Sequence, residues 1–199
     1  MSKFLYILDA GHGGLNPNGV YATSGKRSPE FDDGSVLYEG VENRKKVKAI
    51  TELMKKRNLD FETVHHDWKD NSLGSRVRQA NQLNRSRPCI YISIHSDAYG
   101  TGWTSPSGIG VYHFQGSKQS KKIAKLFRQE LTCNFDGIAL DRKIKEARFF
   151  VLHHTHMSAV LLELGFHSNK EEAKRMMSDE WTDLVAKSVV DACELIETM

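Results

Sequence analysis

The sequence predicts an α/β fold, a mostly parallel twisted sheet with helices on both faces. Short apolar runs alternate with stretches of helical periodicity along the chain, which is the signature of that layer architecture. The 199 residues, 39% hydrophobic and 27% charged, suit one compact domain with a real core. No internal repeat or Pro- and Ser-rich linker divides them, so residues 1–199 are expected to form one unit with no appended targeting module.

The elements follow in order. Strands are expected at residues 4–8, 60–64, 89–94, 108–114 and 159–164, each short and rich in β-branched or aromatic types. Helical stripes lie between and after them: Val47, Ile50, Leu53 and Met54; Leu73, Val77, Ala80 and Leu83; Ile123, Leu126, Phe127 and Leu131; and finally Trp181, Leu184, Val185, Ala192 and Leu195. All four read as core packing. Two long polar loops, residues 15–37 and 98–107, exceed ordinary connections and are expected to wall a groove, the first able to close over it.

Several classes are excluded. No apolar run approaches the ~20 residues of a membrane span. The run at residues 4–8 is too short for a secretory signal and leads directly into Asp9, so cytoplasmic synthesis is expected. A formal charge of +3 without a basic, aromatic-interleaved stripe argues against nucleic acid as a partner. Three cysteines, Cys89, Cys133 and Cys193, with no C-x-x-C spacing, give neither a disulfide framework nor a thiolate metal site, and each is read as a small buried hydrophobe.

The chemistry concentrates at strand ends. Asp9-Ala10-Gly11-His12-Gly13-Gly14 follows the first strand and sets a histidine among glycines, where the backbone turns and exposes the ring. It lacks the residues of a phosphate-binding loop. Ser93-Ile94-His95-Ser96-Asp97 ends the third run, so both histidines fall at the carboxyl ends of strands, where open α/β sheets carry their sites. Paired there, they suit zinc, whose catalytic sites take three His or Asp/Glu ligands and leave a fourth position to water. A third ligand can come from Glu39 or Glu42, which share a helical face; either can equally complement the helix N-terminus. Glu163 stands alone in an apolar strand, fitting a general base beside a metal or one half of a salt bridge. The histidines His153, His154 and His156 and the pair His65 and His66 are read as exposed or hydrogen-bonded, since neighbours on a strand or turn point apart.

Asp9-Ala-Gly-His12-Gly-Gly, Glu39-x-x-x-Asn43, Leu73-x-x-Arg76-x-x-x-Ala80-Asn81, Ser93-Ile-His95-Ser-Asp97-Ala98 and Leu162-Glu163-Leu-Gly165-Phe166-x-Ser168-Asn169, in this order, resemble the zinc-dependent N-acetylmuramoyl-L-alanine amidases of the amidase-3 family over nearly the whole chain. The resemblance implies an α/β hydrolase that cleaves the amide between the lactyl group of muramic acid and L-alanine in peptidoglycan, with one zinc on His12, Glu39 and His95 and with Glu163 as the catalytic carboxylate. It selects Glu39 over Glu42, because the family's glutamate stands four before an asparagine. Asp9 and Asn43 become candidates to orient ligands, and Trp103 to pack on glycan or peptide or to anchor its loop. His153, Ser158 and His167 depart from the family's usual arginine, proline and apolar residue. The expected protein is a monomer that does not insert into membranes, has no separate wall-binding domain, and reaches the wall after release, as a phage or prophage endolysin does. A zinc carboxypeptidase-like hydrolase and a non-catalytic wall-binding module are the rival readings.

Overall fold

The computed structural model describes residues 2–199. Six strands form one sheet: β1 (Leu5–Ala10), β2 (Phe61–Thr63), β3 (Cys89–Asp97), β4 (Ile109–Phe114), β5 (Asp141–Ala147) and β6 (Ser158–Phe166), in the order β2-β1-β3-β6-β4-β5. Every pairing is parallel except β4 with β6. The helices are α1 (Glu39–Lys56), α2 (Leu73–Leu83), α3 (Lys118–Asn134), α4 (Phe150–His154), α5 (Lys170–Met176) and α6 (Asp179–Glu197). None is long and apolar enough to cross a membrane.

Strand alternation divides the core in two. Tyr6, Leu8, Ile90, Ile92, Val160 and Leu162 face one way and are covered by α1, α3 and α6. Leu5, Ile7, Cys89, Tyr91, Ala159 and Leu161 face the other way and meet Val77 and Ala80 of α2 and Val151 and Leu152 of α4. Both faces of the central strands are therefore buried, which is why their sequence reads as continuous apolar runs.

The same alternation places the polar residues. Asp9 continues the Leu5 and Ile7 side, and Ser93 and His95 continue the Cys89 and Tyr91 side. Asp9 is in register with Ser93, and His95 with Glu163. A register shift between His95 and Asp97 ends the regular β3–β6 pairing at the carboxyl edge, a common placement for irregularity beside a site.

Four expectations change, the first being that Leu73, read as core packing, is exposed at the start of α2. β5 was not anticipated, because Asp141-Arg142-Lys143-Ile144-Lys145-Glu146-Ala147 holds little apolar material; as an edge strand it needs none. Cys133 is exposed on α3, whereas Cys89 and Cys193 are buried as expected. His153 and His154 lie on a short helix instead of a strand or turn, and their rings meet at 4.5 Å rather than pointing apart.

Candidate active site

Gly11 extends β1 by one residue, donating its N–H to the Ile94 carbonyl at 3.0 Å. Any side chain there would overlap the His95 ring. The next residue, His12, adopts φ +64°, a left-handed conformation that costs a non-glycine residue energy and persists only where neighbours enforce it. Two arginines do so. Arg44 Nη2 and Arg76 Nη2 both donate to the His12 carbonyl, at 2.9 and 3.0 Å. Asn43 Nδ2 donates to the Gly11 carbonyl at 3.3 Å, so it supports the loop and touches no candidate ligand.

Glu39 opens α1, and Gly40 lets the first turn lie against the loop, since a Cβ at Gly40 would collide with the Gly13 carbonyl. This approach delivers a buried carboxylate between the two histidines. Oε2 lies 3.3 Å from His12 Nε2, and Oε1 lies 3.2 Å from His95 Nδ1 and accepts the Ser96 N–H at 3.1 Å. Candidate ligand atoms of His12, Glu39 and His95 all fall within 4.8 Å of one another. Glu42 turns away and meets Lys46 Nζ at 3.3 Å.

Beneath them is a buried polar layer. Asp9 pairs with Arg76, accepts from Tyr91 OH at 2.6 Å, and accepts from Ser93 Oγ at 3.0 Å. Ser93 Oγ also lies 3.1 Å from His95 Nε2, so Asp9 reaches His95 only through this serine. Arg76 further donates to the Ala10 carbonyl at 2.7 Å. Burial by itself would raise the Asp9 carboxyl; the Arg76 charge and the Tyr91 hydroxyl outweigh it and hold Asp9 below the usual range.

Two neighbouring carboxyls are driven in opposite directions. Burial works against ionised Glu39 as well, yet hydrogen bonds from His12 and His95 keep it well below the ordinary carboxylate range. Glu163 has no such donors. Burial pushes it up to about 8, with His95 opposing and the Glu39 and Asp97 charges reinforcing. Its Oε2 is buried without a hydrogen-bond partner, which rules out the salt-bridge reading for that oxygen. Carboxyls with such divergent environments are the usual source of distinct acid and base roles at one site.

The group opens into a cleft of about 610 Å³, bounded on one side by residues 24–30 of the first long loop and on the other by residues 96–98 of the β3 end. His167 lines it too, with Nδ1 2.9 Å from Ser96 Oγ. Trp103 does not reach it: the indole packs on Phe31 with ring centroids 4.8 Å apart and joins the two long loops, so it serves as an anchor.

Comparison with known proteins turns this geometry into a family assignment, since the amidase-3 model, described as N-acetylmuramoyl-L-alanine amidase, matches residues 7–194. The chain belongs to that family. Among curated relatives, the uncharacterised protein YqiI of Bacillus subtilis is 27% identical over 96% of this chain and 84% of its own length. The germination-specific N-acetylmuramoyl-L-alanine amidase of the same organism is 27% identical over 94% and 76%. A longer cell wall amidase of Bacillus anthracis also matches, and the chain spans only 33% of it. The crystal structure of an N-acetylmuramoyl-L-alanine amidase from Clostridium difficile 630 shares the architecture, with TM-score 0.82 and 24% identity over 98% of this chain and 97% of that one.

For this amidase-3 chain, sequence reasoning overlooked two arginines near the site. Arg44 directly follows Asn43 in the quoted motif, and its position one turn after Gly40 was the available signal; it holds the carbonyls of Gly40, His12 and His66. Arg142 lies on the unanticipated β5. It donates to Asp97 Oδ2 at 2.8 Å and sits over the Phe166 ring at 4.3 Å.

Proposed function

We propose that the chain hydrolyses the amide joining the lactyl group of N-acetylmuramic acid to L-alanine in peptidoglycan, with one zinc ion held by His12, Glu39 and His95. The observation that carries this reading is the buried, unpartnered Glu163 Oε2 beside three converging ligand atoms in an open cleft. Two imidazoles and a carboxylate are the donor set of hydrolytic zinc sites. Zinc bound there supplies a Lewis acid that polarises the substrate carbonyl and makes water acidic near neutral pH.

The chain's residues do the rest. Glu163 Oε2 takes the proton of the attacking water and returns it to the departing alanine nitrogen. A carboxyl held at about 8 is mostly protonated at neutral pH, and positive charge on the neighbouring ligand set lowers that value, giving the ionised form a base requires. Ser93 orients the His95 ring, and the arginine clamp fixes the His12 backbone so that both nitrogens stay aimed at one point.

Digestion of purified peptidoglycan, with zinc quantified in the same preparation, tests the reading. New alanine amino termini, an intact glycan and about one zinc per chain are expected from the three-ligand set. Release of C-terminal residues instead would make the enzyme a carboxypeptidase, and no product would leave a binding module. Replacing His12, Glu39 or His95 by Ala should each remove most of the zinc, whereas Glu42→Ala should retain it. Gly11→Ala should fold yet displace the His95 ring and lower turnover by roughly 10²-fold, the scale of a 1 Å misplacement, as steady-state hydrolysis would record.

Every ligand in this set comes from one chain, which supports a site complete within a single copy. We place the enzyme among released lytic amidases of the phage or prophage endolysin kind. Co-expression with a membrane-permeabilising partner in a host should cause lysis; an intact culture would remove that context and leave the activity in place.

A further inference from the structure

A second cavity, of about 330 Å³, leaves the same centre in another direction. It shares His12, Lys26, His95 and Glu163 with the main cleft, but its outer wall is built from Leu73 at the start of α2 and from Phe149, Phe150 and Val151 at the start of α4, with Asp70 beside them. Leu73 is 51% exposed and the two phenylalanines 40% each. Large apolar side chains gathered at the mouth of a polar site mark a binding surface more often than chance exposure does.

The rings on this ledge are held in place. Phe149 packs on Tyr112 at 5.3 Å, and Phe150 stacks on His154 at 4.1 Å with 23° between planes. His153, where the family usually has arginine, stacks on Phe114 at 4.7 Å and meets His154 edge-on. The result is an aromatic shelf that needs little ordering before it binds a flat apolar partner.

The main cleft is chemically different, being walled by Ser24, Arg27, Ser28, Glu30, Thr101 and His167. The scissile bond of the proposed substrate likewise joins two unlike halves. One is an N-acetylated sugar, uncharged because its lactyl carboxyl is tied up in the scissile amide, with C–H faces and acetamido methyls that stack on aromatic rings. The other is a peptide with free carboxylates, which suit Arg27 of the main cleft, while Lys26 stands between the two cavities.

We propose that the Leu73, Phe149 and Phe150 ledge is a saccharide subsite, so that the glycan strand leaves the centre over α4 and the stem peptide leaves through the main cleft past Arg27. This assignment rests on the amidase reading above and adds the direction of the substrate. Binding energy from a sugar distant from the reacting atoms then contributes to positioning the amide.

Two substrates with the same peptide and the same scissile bond test it: one carrying the N-acetylglucosaminyl-N-acetylmuramyl disaccharide, the other only the lactyl group. The parent should prefer the disaccharide substrate by at least about tenfold in kcat/KM. Phe149→Ser combined with Phe150→Ser should reduce that preference to within about threefold, and Leu73→Ser, which disturbs no core contact of α4, should reduce it independently. Melting temperatures identify folded variants. If folded variants keep the preference, or lose both rates in parallel, the subsite is overturned. It is also overturned if they instead lose discrimination between long and short stem peptides, which would put the peptide on the ledge. A parent that cleaves neither substrate nor whole sacculi overturns the amidase reading itself.

Discussion

Glu163→Gln is expected to fold, keep its zinc and lose roughly 10²–10⁴ of its hydrolysis rate, the range for removing a general acid–base group. Stripped of metal, it should also be more stable than its parent. The folded carboxyl sits at about 8, above its ordinary value, because burial and the Glu39 and Asp97 charges disfavour ionisation. Between the unfolded value and about 8, the native state keeps a proton that the unfolded chain has released, so parent stability falls as pH rises through that window. Glutamine removes the dependence. In metal-stripped protein, the stability difference in favour of the variant should widen from about pH 5 to pH 8, by at most about 1.4 kcal/mol for each step of one in pH, and a growing gap in melting temperature should record it. A variant that melts lower than the parent at every pH, or one that retains parental turnover, would falsify this role.

Arg76→Ala should be the most destabilising substitution below the site. Arg76 and Asp9 are both about 1% exposed, and removing the guanidinium leaves a buried carboxylate without its counter-charge. Breaking such a pair costs about 3–5 kcal/mol, which lowers the melting temperature of a chain of this size by about 10 °C. Because Asp9 is held below its usual range, the pair's contribution is complete above the unfolded carboxylate value and disappears as pH falls through the folded one. The Arg76→Ala stability curve should therefore be flatter in acid than the parental curve. In a double-mutant cycle, Asp9→Asn added to Arg76→Ala should recover part of the loss; additive losses would mean that the two side chains act separately.

Much of the interior was legible because parallel strands buried on both faces leave unbroken apolar runs, as β1, β3 and β6 do. Glycine punctuation and strand-end histidines marked the site for a similar reason, since a sharp turn at a sheet edge restricts which residues fit. Spacing alone could not separate Glu39 from Glu42. Their difference arises from the angle at which α1 meets the Gly13 carbonyl, a tertiary contact made possible by Gly40. Arg142 and the α4 shelf were hidden for the opposite reason: their elements are short or charged and carry no periodic signal. α5 likewise carries no stripe, being only seven residues long, and its start is marked instead by Asn169 capping the Glu172 N–H while Glu172 accepts from Gly108 and Phe166.

The charged edge strand has a consequence for the behaviour of many copies together. β2 and β5 are the two open margins of the sheet, and an open margin is a template on which another chain can build. β2 offers only three residues, and β5 displays Lys143, Lys145 and Glu146 along its length. Two β5 margins brought together would set these side chains against one another and require them to shed water. The pattern that conceals this strand from a hydrophobicity-based reading therefore also guards against sheet-to-sheet polymerisation, so concentrated protein should remain dispersed without a capping helix over either margin.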